Sequence, residues 1–296
     1  MSDRVQTAAD EAVRECITTH RSFALIAGAG SGKTTSLVDA LADIRSTYGV
    51  TLRKNGQRIA CITFTNRAVE VIRERLGFDE LYEVSTLHSF LWTEIKRFQC
   101  DIREALQNDR LPALIAKAAE NDTGKETKTA RKAREKVARL ENDLASLPDV
   151  TQFSYDDAAF SDYLNGKLSH DDIIEIAGYL FRERQNFRRL IGVRYPFIFV
   201  DEAQDTFVPI VEGLNQTCAA PGLPLVGYFG DPWQQIYEGR AGDFAPPEGG
   251  LPITKVENFR CAPQVIDFLN AFRTAVEPVP AGPNSEVEGS VEIRLV

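Results

Sequence analysis

The sequence is short of the residues that build metal clusters and disulfide frameworks. Its 296 residues include five cysteines (Cys16, Cys61, Cys100, Cys218, Cys261) with no Cys-x-x-Cys pair, and three widely spaced histidines (His20, His88, His170). That spacing argues against a zinc site and fits reduced thiols in the cytosol. No apolar run approaches the ~20 residues that cross a bilayer. Met1 to Arg14 is charged throughout and lacks the apolar core of a signal peptide. There is no internal repeat. The expectation is a cytoplasmic protein without membrane contact, of ordinary globular composition, in one large or two smaller domains. Positive charge is in deficit: 34 Lys and Arg against 43 Asp and Glu leave a net charge of −9. Net charge does not exclude nucleic acid, because a binding groove needs only a local basic stripe. Lys125 to Arg139 carries seven basic residues (Lys125, Lys128, Arg131, Lys132, Arg134, Lys136, Arg139) against Glu126 and Glu135. Arg182 to Arg194 carries five arginines against Glu183. The competing reading of each stripe is a solvated helix face.

What is present begins at Phe23. The run Phe23-Ala-Leu-Ile-Ala-Gly-Ala-Gly-Ser-Gly-Lys-Thr-Thr35 reads as a buried strand, a glycine-rich loop and the start of a helix. That is the architecture of a phosphate-binding P-loop. Glycines at 28, 30 and 32 let backbone N–H groups converge on phosphate oxygens, and Ala27 replaces the first glycine of the strict pattern. Gly28, Ala29, Gly30, Ser31, Gly32, Lys33, Thr34 and Thr35 are the expected nucleotide-binding residues. Lys33 would reach the β- and γ-phosphates, and the Thr34 hydroxyl would hold Mg²⁺.

Apolar strands are expected at Phe23–Ala27, Arg58–Thr63, Leu81–Val84, Tyr195–Val200, Leu223–Phe229 and Ile253–Val256. Helices are expected at Thr7–Thr18, Thr34–Arg45, Asn66–Leu76, Ser85–Gln99, Asp171–Leu180 and Val265–Phe272. The alternation implies a parallel sheet covered on both faces, the RecA-like P-loop α/β class, in which ligands bind at the carboxyl ends of the strands. From Cys100 the composition shifts to Ala, Lys, Arg and Glu with helical periodicity and no strand signal. Residues 100–170 read as a mainly helical insertion, with a partly mobile middle around 120–136. Residues 1–99 and 171–276 then form the ATP-binding domain. The stretch 277–296 reads as a Pro-rich linker and, at 290–296, the first strand of a second RecA-like domain.

A second chemical signal is Phe197-Ile-Phe-Val-Asp-Glu-Ala-Gln-Asp205, an apolar strand that delivers two carboxylates at its end, with Asp201 168 residues after Lys33. In P-loop NTPases an acid at that place holds Mg²⁺. Asp201 fits that role, and Glu202 fits the base that polarises the attacking water.

Six segments in order resemble the motifs of superfamily 1A helicases, the group of UvrD, Rep and PcrA. Ala27–Thr34 resembles motif I, Ile62–Leu76 motif Ia, Ser85–Phe90 motif Ib, Val200–Asp205 motif II, Gly230–Arg240 motif III and Glu257–Cys261 motif IV. The resemblance implies a 1A-like ATP-binding domain with a 1B-like insertion, ATP and Mg²⁺ as cofactors, and single-stranded DNA as partner. It implies that Gln204 and Gln234 sense the γ-phosphate, that Arg260 contacts it, and that Phe259 stacks on adenine. Lys33, Asp201, Glu202, Gln234 and Arg260 are the implied catalytic set. Phe64, Thr65, Asn66, Thr86, His88 and Tyr237 are the implied DNA contacts. Phe64 would stack on a base, worth ~1–3 kcal/mol, with a plain core role as its competitor.

The sequence departs from the family pattern at several positions. Gly239 stands where these helicases carry Trp or Phe, with Trp233 nearby. Gln235 replaces the usual Ser. Ala9 occupies the place of the adenine-reading Gln, with Gln6 one helical turn upstream. Motifs V and VI, with a second catalytic arginine, are not in the sequence. A chain with half of the site is expected to hydrolyse ATP weakly or not at all alone. The implied function is an ATP-dependent single-stranded DNA translocase or helicase, moving 3′ to 5′. The alternative is a regulatory ATPase that senses DNA or a protein partner, such as a nuclease, without unwinding.

Overall fold

Along the chain run α1 (Ala8–Thr18), β1 (Phe23–Ala27), α2 (Lys33–Lys54), β2 (Ile59–Thr63), α3 (Asn66–Arg75) and β3 (Tyr82–Thr86). Next come α4 (Leu87–Ile95), α5 (Gln99–Ala105), α6 (Leu111–Ala119), α7 (Lys128–Ser146), the two-residue strands β4 (Ser154–Tyr155) and β5 (Lys167–Leu168), α8 (His170–Glu183) and α9 (Gln185–Arg194). The chain continues through β6 (Phe197–Asp201), α10 (Val208–Thr217), β7 (Leu225–Gly230), β8 (Leu251–Lys255), β9 (Glu257–Asn258), α11 (Pro263–Asn270) and β10 (Val279–Pro280). The computed structural model describes residues 6–156, 160–235, 239–242, 244–272 and 276–292. The chain divides into one unit of residues 1–86 and 189–296 and another of 87–188.

The first unit is built on a six-stranded sheet in the order β3-β2-β6-β7-β1-β8, with every pairing parallel. This is the RecA-like arrangement expected from the alternation. Strands β2, β6 and β7 are buried along their whole length, as a sheet covered on both faces requires. Phe23 of β1, Phe199 of β6 and Phe229 of β7 form an aromatic trio with ring centroids 5.6–5.9 Å apart. Gly227 makes room for it: a Cβ there would lie 2.5 Å from Phe199 and 2.6 Å from Phe23.

α1 opens with a capping box between Thr7 and Asp10, which satisfies two N-terminal amides reciprocally. Asp10 also binds across the fold. Its Oδ1 accepts from Ser36 Oγ at 2.6 Å and from the fully buried Lys255 Nζ at 2.7 Å. Burial alone would raise the Asp10 carboxyl, but the hydrogen bonds from Lys255 and Ser36 win and bring it down to about 2. α2 runs well past the expected Arg45, because Leu52 continues the buried face of Leu37, Leu41 and Ile44. α10 is a helix that sequence periodicity leaves unassigned.

In the second unit α4 and α5 pack on α8, and α6 packs on α7. The buried Asp172 of α8 accepts from Arg110 Nε and the Tyr163 hydroxyl, both at 2.8 Å. Two arginines of the stripe that begins at Arg182 are paired with carboxylates here. Arg182 meets Asp109 at 3.1 Å and Glu183 at 3.0 Å, and Arg184 meets Asp101 at 2.6 Å as well as Glu104. Among the described residues no helix is long and apolar enough to cross a membrane.

Candidate functional site

The loop after β1 turns twice through left-handed backbone, at Gly30 (φ 80°) and Gly32 (φ 77°). Only glycine takes these conformations without cost. Gly32 sits at the N-cap of α2, and no side chain caps that end. The helix therefore begins with unclaimed N–H groups and its positive dipole end, which is an anion site. Residues 28–35 line a polar cleft of about 280 Å³ together with Arg75, Glu202, Gln234 and Arg260. The phosphate-loop residues, the expected base and two expected catalytic residues thus share one cavity.

β6 brings in the acids. Lys33 Nζ lies 2.6 Å from Glu202 Oε2, and Glu202 itself has a left-handed backbone (φ 51°). A non-glycine residue held there stores strain, a feature that clusters at functional sites. Gln204 Nε2 donates to the same Glu202 oxygen at 2.8 Å, while its Oε1 accepts from the Asp231 N–H at 3.0 Å. Asp231 Oδ2 then accepts from Gln234 Nε2 at 2.8 Å. A hydrogen-bonded chain therefore joins the two glutamines that the sequence singles out.

Asp201 is 4 % exposed, and its Oδ1 has no hydrogen-bond partner among the described residues. Burial pushes its carboxyl up to about 6, against the pull of Lys33 and with the help of Glu202. Asp201 is not among the residues that line the cleft, but it directly precedes Glu202, which does, as does Thr34; an orphaned carboxylate oxygen and a hydroxyl are donors that suit a hard divalent cation such as Mg²⁺.

The family model for the UvrD/REP helicase N-terminal domain matches residues 6–245. The chain belongs to this family. Among its relatives, Gabija protein GajB of Bacillus cereus strain HuB5-5 is 27% identical over 83% of this chain and 46% of that protein. ATP-dependent DNA helicase PcrA of Bacillus subtilis is 26% identical over 76% of this chain and 33% of that protein. The chain thus spans less than half the length of the curated relatives it matches. A solved Pif1 helicase from Candida albicans aligns at 13% identity with a TM-score of 0.37, over 85% of this chain and 39% of that one.

One residue of this UvrD/REP site escaped sequence reasoning. Arg75, the last residue of α3, lines the cleft. The signal available was only a cation at the end of a helix that follows an apolar strand. Asn258 is 1 % exposed and clamps the loop: its Nδ2 donates to the Ala29 carbonyl at 2.9 Å, and its Oδ1 accepts from the Arg260 and Cys261 N–H groups, each at 2.9 Å. The Phe259 N–H donates to the Gly30 carbonyl at 2.9 Å. The clamp is tight, since a Cβ at Gly30 would lie 2.8 Å from both Arg260 Cβ and Asn258 Oδ1.

Phe259 does not line the cleft; its ring lies against Gly282. In the first unit Phe64 is half-buried at the end of β2, Thr65 and Asn66 are exposed, and Thr86 ends β3. Thr65 is also the N-cap of α3, accepting from the Ala68 N–H at 3.1 Å. In the second unit His88 stacks on His170 with centroids 4.4 Å apart, and His170 bonds the Tyr155 hydroxyl at 2.7 Å. Two of the scattered histidines therefore meet, yet no group of three metal-ligating side chains exists among the described residues. Trp233 is 51 % exposed. Gly239 has φ 73° and open space around its Cβ position. Tyr237 lies outside the described residues.

Proposed function

We propose that the chain is the ATP-binding half of an ATP-dependent single-stranded DNA translocase or helicase that moves 3′ to 5′. The observation that carries this reading is the shared cleft of the P-loop, Glu202, Gln234 and Arg260. In it, the α2 amides and Lys33 bind the nucleotide phosphates. Thr34 and Asp201 hold Mg²⁺, which when bound neutralises charge on the phosphate oxygens. Glu202 takes a proton from the attacking water. Arg260 and Arg75 stabilise the charge that develops on the transferred phosphoryl group. Phosphate arrival gives Lys33 a second anionic partner besides Glu202, and Gln204 carries that change towards Asp231 and Gln234. Phe259 serves the adenine side. Phe64, Thr65, Asn66, Thr86, His88 and Tyr237 each serve as contacts for single-stranded DNA. A second RecA-like domain in the full-length protein completes the ATP site, so this chain alone turns over slowly. Residues 100–170 act as the 1B-like insertion.

The test is ATP binding and hydrolysis with and without single-stranded DNA. Lys33→Ala should abolish nucleotide binding, and Glu202→Gln should retain binding and lose any hydrolysis. Normal ATP affinity in Lys33→Ala refutes the phosphate-loop assignment. Full turnover in Glu202→Gln moves the base elsewhere. Gly239 favours the alternative of a regulatory ATPase that works with a partner such as a nuclease, because it supplies no base-stacking ring. Processive translocation by the full-length protein would exclude that alternative.

A further inference from the structure

α6 and α7 pack closely because the residues between them are small: Ala118, Ala130 and Ala133 are all buried. One side of the pair leaves a groove of about 270 Å³. Its floor is aliphatic, from Leu114, Ala118 and Ala133, and its rim is cationic, from Lys117, Lys132 and Lys136. The basic stripe of α7 is sorted by residue type. Arg131 lies 3.7 Å from Glu135, Arg134 lies 3.0 Å from Glu126 and 3.9 Å from Asp122, and Arg139 lies 4.0 Å from Asp143. Among the described residues the three rim lysines form no such pair. The arginines are compensated, and the uncompensated lysines surround apolar surface.

We propose that this groove docks an acidic amphipathic helix of a protein partner, laid along α6 and α7 as the third helix of a small bundle. The proposal is independent of the motor reading. An amphipathic helix binds a groove through an apolar stripe at i, i+3, i+4 and i+7, and the Leu114–Ala118–Ala133 floor is what such a stripe covers. Lys132 and Lys136 are one helical turn apart, the spacing at which carboxylates flank the stripe of the incoming helix. Lysine stems extend the apolar contact while their ammonium groups meet the carboxylates. Nucleic acid fits less well. Sites for single strands add aromatic platforms to their cations, and no aromatic residue lines this groove. The arginines that could grip phosphate bidentately already hold carboxylates.

The probe is a fluorescent synthetic peptide with a leucine stripe flanked by glutamates, titrated against the full chain by anisotropy. A scrambled peptide of the same composition and a DNA duplex are the comparisons. The amphipathic peptide should bind about tenfold tighter than the scrambled one and gain helical circular dichroism on binding. Lys132→Glu with Lys136→Glu should lose that tenfold and bind instead the peptide with lysines in place of glutamates. Leu114→Ser, which leaves every charge in place, should weaken the original peptide without changing duplex binding. Equal binding of the two peptides by the wild-type chain overturns the proposal. So does a charge-reversal effect seen with the duplex and not with the peptide, which would give the groove to nucleic acid.

Discussion

Removing the Asn258 clamp should separate the stability of the phosphate loop from its affinity for nucleotide. The side chain makes three hydrogen bonds of 2.9 Å, donating to the Ala29 carbonyl and accepting from the N–H groups of Arg260 and Cys261. Each such bond is worth ~1 kcal/mol net, more where a partner is left buried and unpaired. Arg260 is exposed and Cys261 half-buried, so water can recover part of the loss. Asn258→Ala should therefore cost about 2–3 kcal/mol, or a drop of roughly 5–10 °C in Tm for a domain of this size. Asn258→Asp keeps the acceptor for both N–H groups and loses only the donor to Ala29. It should cost about 1 kcal/mol. It also puts a negative charge against a loop that holds phosphate, where two like charges at ~4 Å repel by on the order of 1–4 kcal/mol. The expected pattern is crossed: the alanine variant melts lower, and the aspartate variant binds a fluorescent ATP analogue more weakly, by roughly tenfold. Thermal unfolding and nucleotide titration of both variants measure it. If Tm and Kd change in the same proportion in the two variants, or if Asn258→Ala leaves both unchanged, the clamp is not what orders the loop.

Gly30→Ala places a methyl group 2.8 Å from Arg260 Cβ at φ 80°; it should cost ~1–3 kcal/mol and weaken nucleotide binding, and wild-type melting would contradict the contact. Phe64→Ala should weaken single-stranded DNA binding by ~1–3 kcal/mol with little loss of stability; unchanged DNA affinity would return Phe64 to the core. Asp10 is held at about 2 against an ordinary 3.8. A depressed folded-state value means stability that is complete above the unfolded value and lost as pH falls through the folded one, so roughly 2 kcal/mol should disappear between about pH 4 and 2. Denaturant midpoints across that window should show a shallower acid slope in Asp10→Asn, and an identical slope would remove Asp10 as its source.

The parts legible in the sequence are those whose chemistry is local. The run from Phe23 to Thr35 announces strand, loop and helix because apolar residues, left-handed glycines and a helix start must follow in that order. The same holds for Phe197 to Glu202. What was not legible depends on strand and helix placement. Arg75 enters the cleft only because α3 ends beside it. Asp10, Ser36 and Lys255 come from α1, α2 and β8, and 245 positions separate the ion-paired carboxylate from its lysine. In the sequence the α7 stripe is a net positive run that contains Glu126 and Glu135. Its arginines and lysines part company only when Asp122, Glu126, Glu135 and Asp143 are seen to face the arginines.

Sheet order explains why residues so far apart in sequence share a cleft. The acid strand β6 is not the neighbour of the phosphate-loop strand β1; β7 stands between them. β7 ends at Gly230, so Asp231 and Gln234 follow the strand that lies between β1 and β6. The chain of hydrogen bonds from Glu202 through Gln204 to Asp231 and Gln234 is thus a contact between adjacent strand ends. The excursion through residues 87–188 leaves from β3 at the sheet edge and returns at β6, which pairs with β2 (Ile59 opposite Phe197). No pairing in the sheet is interrupted by it. The condition for this arrangement is that β7 fit between two phenylalanine-bearing strands. Gly227 meets that condition, since any side chain there would collide with Phe23 and Phe199. A glycine inside a central strand is what leaves room for the Phe23 and Phe199 rings on that face of the sheet.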